Sequence, residues 1–540
     1  VVTPSVAIGG EFPAARALAR RALRDARTRT LAFAYLFALY AYIEPVGFAS
    51  AYKTLADRIA FAHSFANNDA IRLFYGYPYD PLTISGYSAW RVGGTLAIAA
   101  AALGVLAAVR ALRAEEDAGR LELVLAGAVR RRTAFAAAMS ATAAGLAAVW
   151  FLETAGFVVG GLALGGSAYL ALATISVAAV FVGVGALVCQ LAPTRRIALE
   201  LGMGVVALSL LLRVVADTSS GAGWLRWATP LGWAEELRPF TGPQPLVLLA
   251  PTIATIALVA LAGRIAASRD TGSAILPARD SAEPRLRLLS SASAQALRSE
   301  RGSLIAWTAS TAAFALVLGV VSKSVSSAGI PHSVAKEIAK LGSGSIASPT
   351  GYLSFVFIFF ILAVSLFVCA QLGAARQEES AEQLETLLAQ PLSRQRWLGG
   401  RLLLAAAGAV GLAAAAGFLT WAGALSVGVP LSLAHALEAG ANCLPVALFF
   451  LGLAALAYAV FPRASVGIAY GFVTLAFVWY LVGALVGVPH WLVELTPFAH
   501  VGFVPTEPFR TGAALVMVAI GLGGALIALA VFRRRDLASA

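Results

Sequence analysis

Residues 511–532 read TGAALVMVAIGLGGALIALAVF and run directly into Arg533, Arg534 and Arg535. The stretch carries no charged side chain. At a helical rise of about 1.5 Å per residue it matches the roughly 30 Å hydrocarbon core of a bilayer. Hydrocarbon offers the backbone no water, so the amides have to bond one another within a helix. Similar runs lie at Val92–Val109 and Phe355–Ala370. The whole chain is 59% hydrophobic and only 13% charged over 540 residues, with a mean hydropathy of +0.80. A water-soluble domain carries roughly twice that charged share. Short alternating strands of the β-barrel kind are not seen.

The pattern predicts an all-α integral membrane protein of about twelve transmembrane helices. Spans are expected near 31–51, 91–110, 134–158, 168–191, 197–216 and 245–266, and again near 304–322, 351–373, 398–425, 435–461, 465–487 and 510–532. Three parts follow: a six-helix half over 1–266 opened by a basic interfacial helix, a polar linker with a second interfacial helix over 267–303, and a second six-helix half over 304–540. The arginine-rich polar start argues against a cleavable signal peptide.

The net charge of +12 is read as loop bias rather than as a nucleic-acid surface, since no basic run is interleaved with aromatics. Segments at the start, after every even span and at the end hold 29 of the 40 lysines and arginines, against 11 on the other side. That asymmetry places both termini in the cytoplasm of a multi-pass cell-membrane protein. Cys189, Cys369 and Cys443 sit in or beside apolar runs and read as small buried hydrophobes.

The two halves match in order. Ala22-Leu23-Arg24 recurs as Ala296-Leu297-Arg298, Gly86-Tyr87 as Gly351-Tyr352, Pro193 as Pro462, Trp224-Leu225 and Thr229-Pro230 as Trp491-Leu492 and Thr496-Pro497, and Arg269-Asp270 as Arg535-Asp536. Dipeptides matching in constant order imply duplication. An even number of spans per half makes the repeat parallel, with a pseudo-two-fold axis along the membrane normal and a pathway between the halves.

The sharpest feature follows the second span of each half. Glu115-Glu116-Asp117-Ala118-Gly119-Arg120-Leu121-Glu122-Leu123 is partnered by Glu378-Glu379-Ser380-Ala381-Glu382-Gln383-Leu384-Glu385-Thr386. Basic ends follow, Arg130-Arg131-Arg132 and Ser393-Arg394-Gln395-Arg396. Helical spacing puts Glu115 with Glu122, and Glu378 with Glu382 and Glu385, on one face, while Leu121, Val124 and Leu125, or Leu384, Leu387 and Leu388, line another. Each loop is therefore expected to carry a short amphipathic helix, acidic at its start and basic at its end as the helix dipole favours. Two readings stand: a solvated helix on the membrane surface, or a docking helix for a cytoplasmic partner.

The run Arg113-Ala114-Glu115-Glu116-Asp117-Ala118-Gly119-Arg120-Leu121-Glu122-Leu123 resembles the permeases of ABC-2-type (type V) exporters, and most closely the actinobacterial polyketide-antibiotic exporters of tetronasin type. The likeness covers nearly the whole chain and implies a single chain of two fused halves. It implies ATPase docking through Glu115, Glu116, Glu122 and Arg131 in the first loop, and through Glu378, Glu379, Glu385, Pro391 and Arg394 in the second. The family ending Pro-x-Ser-Arg is kept as Pro391-Leu392-Ser393-Arg394, whereas the first half departs from it with Ala128-Val129-Arg130-Arg131.

A phosphate-binding loop of Walker type needs Gly-Lys before Ser or Thr. The four lysines, Lys53, Lys323, Lys336 and Lys340, follow Tyr52, Ser322, Ala335 and Ala339. ATP and magnesium are therefore expected on a separate ATPase, in two copies to match two loops, and no cofactor or metal is expected in this chain. The five histidines, at 63, 332, 435, 490 and 500, form no ligand spacing. Arg24, Arg27, Arg298 and Arg301 in the interfacial helices are candidates to pair with loop glutamates or with anionic lipid. Glu200 is expected to pair locally with Arg195 or Arg196. Glu153 within span three, with Trp150 and Phe157, is the candidate substrate pathway. The Trp- and Pro-rich segments Trp224–Phe240 and Trp491–Phe509 are too short to span and read as re-entrant or interfacial. His435, Glu438 and Asn442 open span ten as capping or snorkelling groups.

The favoured function is a permease exporting hydrophobic or amphipathic compounds, antibiotics or drugs, with ATPase closure pushing the docking helices together. An ion-coupled secondary transporter would show several mid-membrane charges and matched broken helices. A lipid or glycolipid exporter is the other alternative, and a lipid-modifying enzyme lacks an acid–base pair.

Overall fold

The computed structural model describes residues 11–63, 72, 75–127, 129–218, 221–270, 275, 291–327, 348–486 and 490–537. Lys336, Lys340, His332 and linker residues 271–274 and 276–290 lie outside them. The regular secondary structure of the described residues is all helical, and the chain divides into two compact units, Val1–Ala282 and Glu283–Ala540.

In the first unit, α1 spans Glu11–Ala51, joining the basic segment to span one without a break. A short α2, Leu55–Phe61, is capped by Thr54 and Asp57 in reciprocal bonds, a capping box. Span two is α3, Gly93–Ala111, entered through a π-helical turn at Ser88–Val92. The loop helices α4, Arg113–Asp117, and α5, Arg120–Leu125, follow. Spans three to six are α6, Arg131–Val159; α7, Leu164–Leu191; α8, Arg195–Thr218; and α10, Leu249–Ser268. Between the last two lies α9, Pro230–Glu236, started by Thr229 as cap and Pro230 in the first turn, where a missing amide proton costs nothing.

In the second unit α11, Ala292–Ser327, again runs from the basic segment into a span. It is followed by α12, Pro349–Ser380; the loop helix α13, Gln383–Leu388; and α14, Arg394–Ser426. Span ten is broken into α15, Leu433–Ala441, and α16, Leu444–Val460. At the break the Asn442 amide donates to the Gly502 carbonyl over 2.7 Å, while Ser432 caps α15 at His435. Then come α17, Ser465–Val486; α18, His490–Val493; and α19, Thr511–Arg534. Eleven of these stretches are long and apolar enough to cross a membrane, and Ser465–Leu481 is a shorter apolar helix.

Each unit packs by the same pairs. α1 lies along α6 and α7 against α3 and α10; α11 lies along α14 and α16 against α12 and α19. With lipid as apolar as leucine, such contacts need close backbone approach, which small residues permit. Any side chain at Gly156 would strike the Ala38 backbone, and at Gly452 that of Gly521. The lipid-facing sides stay apolar and exposed, as at Leu31, Tyr35 and Leu36 of α1 and Leu515, Ile520 and Leu526 of α19.

One expectation changes. Neither acidic loop is a single amphipathic helix. The backbone turns at Gly119 (φ 68°) and at Glu382 (φ 59°), both left-handed. A helix cannot continue through that conformation, which costs a non-glycine residue about 1–2 kcal/mol. Glu115 and Glu122 therefore belong to different helices, as do Glu378 and Glu385, and they do not share a face.

Candidate functional site

At the first loop the shoulder is locked from inside. Arg113, 2% exposed, reaches Glu116 at 3.0 Å and Asp117 at 3.0 Å and donates to the Pro193 carbonyl. Glu116 also accepts from Arg269 just beyond α10, at 2.7 Å. Asp117 accepts from the Arg195 amide at 2.7 Å. Arg131 opens α6 and donates to the Arg269 carbonyl, with Asp270 3.5 Å away. The end of span two is thus stitched to the starts of spans three and five and to the end of span six.

The second loop is stitched in the same manner. Glu379 accepts from the Tyr458 hydroxyl at 2.7 Å and from Arg535 just beyond α19, with Arg376 at 3.6 Å. Arg535 also donates to the Tyr458 carbonyl at 2.8 Å, and Arg394 donates to the Arg535 carbonyl. Glu378 is bonded to Arg401 of α14, whose other nitrogen lies 3.2 Å from Glu300 of α11. Partnered charges of this kind hold geometry well, because removing one partner strands the other out of water. Ser393 caps α14 by accepting from the Arg396 amide at 3.2 Å, a bond that Arg130, in the same place before α6, does not make. This gives a physical content to the sequence departure at Ala128-Val129-Arg130.

The predicted docking residues therefore divide. Glu116, Glu378, Glu379, Arg131 and Arg394 point into their own half and hold the loop. Glu115 is half-exposed and bonded to Arg120 at 2.9 Å. Glu122, Glu385 and Pro391 are exposed. Leu384 is wholly buried and anchors α13, with Leu387 and Leu388 packed behind it. Glu122, Leu125, Ala126, Arg130 and Arg132 line an open groove.

Arg24, Arg27 and Arg301 are exposed and Arg298 half-buried, and the bonds described above take the loop carboxylates to other arginines. Glu200 does pair with Arg196, at 2.8 Å on the surface. Glu153 and Phe157 are wholly buried in α6. Neither oxygen of Glu153 is hydrogen-bonded; the Thr174 hydroxyl is near enough to interact but donates to the Leu170 carbonyl. Trp150 donates to the Ala168 carbonyl at 3.0 Å. Trp224 and Trp491 are 68% and 63% exposed, the disposition of interfacial anchors.

Sequence reasoning missed a second ion cluster at the other end of the first half. Arg213, with a side chain 1% exposed, sits 3.6 Å from Asp217 and 3.4 Å from Glu235 of α9. Arg226 reaches Asp217 at 2.7 Å and Glu235 at 3.8 Å. Glu236 accepts from the Tyr79 hydroxyl at 2.9 Å and from Arg238 at 2.7 Å. Arg226 and Arg238 lie over the rings of Tyr77 and Tyr79. Burial pushes the Glu235 carboxyl well above the ordinary carboxylate range; Asp217 adds to the rise, and Arg213 and Arg226 oppose it. Tyr79 is likewise raised, by burial and by Glu236 beside it. A cavity of about 40 Å³ bounded by Tyr75, Trp90, Arg213 and Glu235 has room for ordered water. The signal was available: an arginine within span five demands a partner. In the second half α17 carries no charged residue, and Glu507 and Arg510 pair near the surface at 3.1 Å.

Comparison with known proteins bears on the whole chain. The family described as "Multidrug efflux system permease Rv1217c, C-terminal domain" matches residues 27–265 and 289–533. The multidrug efflux system permease protein Rv1217c of Mycobacterium tuberculosis (strain ATCC 25618 / H37Rv) is 29% identical over 491 residues, covering 90% of this chain and 88% of its own length. With helices enough for many crossings and a family match over most of its length, the chain belongs to the Rv1217c family of multidrug efflux system permeases and is a multi-pass membrane permease.

Proposed function

We propose that this chain is the membrane-spanning subunit of an ATP-driven ABC-2-type exporter that moves hydrophobic or amphipathic compounds, antibiotics or drugs among them, out of the cell. Family membership supports a transport subunit without ATPase chemistry of its own, and it implies association with a separate ABC ATPase and with membrane lipid. The observation that carries the docking part is the contrast within each loop. Buried carboxylates fix the shoulder, while Glu122 and Glu385 stand exposed on short helices beyond a left-handed turn. An exposed acid on a rigid mount is suited to receiving force.

Two such loops favour two ATPase copies, docking on Glu122 and Glu385 and assisted by Glu115 and Pro391, with Glu116, Arg131, Glu378, Glu379 and Arg394 as holding residues. The ordered matches between the halves, and the single family description that covers residues on both sides of the linker, support an origin by duplication of a six-helix unit. The tetronasin-type subgroup is the narrower assignment we favour. Arg24, Arg27, Arg298 and Arg301 are assigned to lipid head groups, and Glu153, Trp150 and Phe157 remain our candidates for the substrate path.

The test is transport. Inverted vesicles holding the permease and its ATPase are expected to accumulate a fluorescent hydrophobic cation with ATP. Vesicles holding the permease alone are expected not to, and uptake by the permease alone on an ion gradient would refute the reading. Orientation is checked separately. The native cysteines are buried, so an impermeant thiol reagent should label Trp224→Cys in intact cells and Glu122→Cys only in inverted vesicles. The reverse pattern would turn the protein over and remove the docking assignment.

A further inference from the structure

The two loops differ in one respect that their sequences hide. In the second half Arg401 is 4% exposed and lies between two carboxylates, Glu300 of α11 and Glu378 at the end of α12, themselves about nine-tenths buried. Its guanidinium lies over the Trp397 ring at 5.9 Å. Three helices therefore meet at one cation: the interfacial helix that continues into span seven, the helix that leads into the docking loop, and span nine. Charge-assisted bonds of this type are short and directional, and in a dry site they resist separation.

Among the described residues the first half shows no such buried junction. Glu115, which occupies the place of Glu378, bonds instead to Arg120 of its own loop, and the two side chains are 39% and 46% exposed. The residues in register with Glu300 and Arg401 are Ala26 and Ala138. The loop shoulders of both halves are otherwise stitched alike, through Glu116 with Arg269 and Glu379 with Arg535.

We infer that Arg401 and Glu300 are positioning residues that tie the second docking loop to the interfacial helix of its half, so that this loop transmits the ATPase movement into the spans while the first loop chiefly anchors. The inference rests on the docking reading above. A push on α13 moves the end of α12, and through Arg401 it moves α11. Among the described residues a push on α5 meets α1 only across the exposed surface, where Arg21 and Asp25 of α1 act on Glu115 and Arg120, and through no buried charge bridge.

The experiment uses the permease–ATPase complex in proteoliposomes, reading ATPase affinity, basal hydrolysis and cargo-stimulated hydrolysis separately. Glu300→Gln cuts the link to α11 and leaves Arg401 on Glu378. It is expected to keep ATPase affinity within about twofold of wild type and to lower cargo stimulation about tenfold, within the range of ordinary coupling energies. Arg401→Met should behave alike, Arg401→Lys should recover part of the loss, and Arg120→Gln in the first loop should lower stimulation less than about twofold. Wild-type stimulation in Glu300→Gln, an equal loss in Arg120→Gln, or a loss of ATPase affinity in Glu300→Gln would each overturn the inference. Failure of the docking reading looks different: charge reversal at Glu122 and Glu385 would then leave ATPase affinity unchanged. Should Arg401→Met not fold, Glu300→Gln alone decides.

Discussion

Reversing both exposed loop acids, Glu122→Lys with Glu385→Lys, is expected to abolish cargo-coupled ATP hydrolysis while leaving the helical body intact. The two halves of that expectation have separate causes. Both side chains are exposed, and surface changes away from caps and buried networks usually alter stability by no more than about 0.5 kcal/mol. Expression, detergent extraction and thermal unfolding should therefore match wild type. Docking is another matter. A partner surface shaped to receive an acid meets a lysine instead, and the lost pair is compounded by like-charge repulsion. About tenfold weaker ATPase binding per site is a modest expectation for reversal at an interface. With two sites on one permease the losses compound, because the second ATPase binds as part of the same assembly. Each single reversal should give a partial loss. Glu379→Gln is the informative contrast: its carboxylate is buried against Tyr458 and Arg535, so it should lower the unfolding temperature, which the double reversal leaves alone. A double variant that co-purifies with the ATPase and hydrolyses ATP as wild type does would remove the docking assignment.

The spans were legible because lipid imposes one requirement on every residue of a crossing helix, and a run such as 511–532 meets it without help from distant parts of the chain. The acidic loops were legible as a place, through their recurrence, but not as a geometry. Gly119 announces a turn, since glycine tolerates positive φ, whereas Glu382 in the same conformation carries no such mark. Nor does spacing tell an exposed acid from a buried one here. Glu115 and Glu116 are neighbours in sequence, yet one bonds Arg120 near solvent and the other Arg269 in the interior. The partners of the buried set, Arg269, Arg401 and Arg535, come from 23 to 156 residues away, and no local pattern announces a pairing at such distance. Arg213 was the opposite case, a charge inside an apolar run whose cost alone asks for the partners that the fold supplies.

That cost sets the second large effect. Arg213→Leu is expected to destabilise the first half by about 3–5 kcal/mol, as breaking a buried ion pair from one side does. Asp217 and Glu235 would be left facing each other with Arg226 as their remaining described cation, 2.7 Å from the first and 3.8 Å from the second. The loss should depend on pH, with a sign fixed by Glu235. Its carboxyl in the folded protein holds a proton well above the range of an unfolded glutamate, with burial the main cause. An unfolded chain releases that proton near pH 4.3. From there upward the folded state binds more protons than the unfolded one, so stability falls as pH rises, until the raised folded value is passed and the slope vanishes. Wild type should thus lose stability over that window. Glu235→Gln, which has no proton to release, should flatten the contribution. Arg213→Leu should extend the fall to higher pH, since the guanidinium that opposes the rise is gone. Combining Arg213→Leu with Glu235→Gln should recover part of the loss at the alkaline end of the range, by removing a carboxyl that would otherwise have to ionise beside Asp217. The measurement is thermal unfolding of the purified permease in detergent, followed by tryptophan fluorescence, at several pH values from 5 to 8. A single Arg213→Leu variant as stable as wild type at pH 8, or a Glu235→Gln variant with an undiminished pH slope, would show that the cluster does not hold α9 to span five.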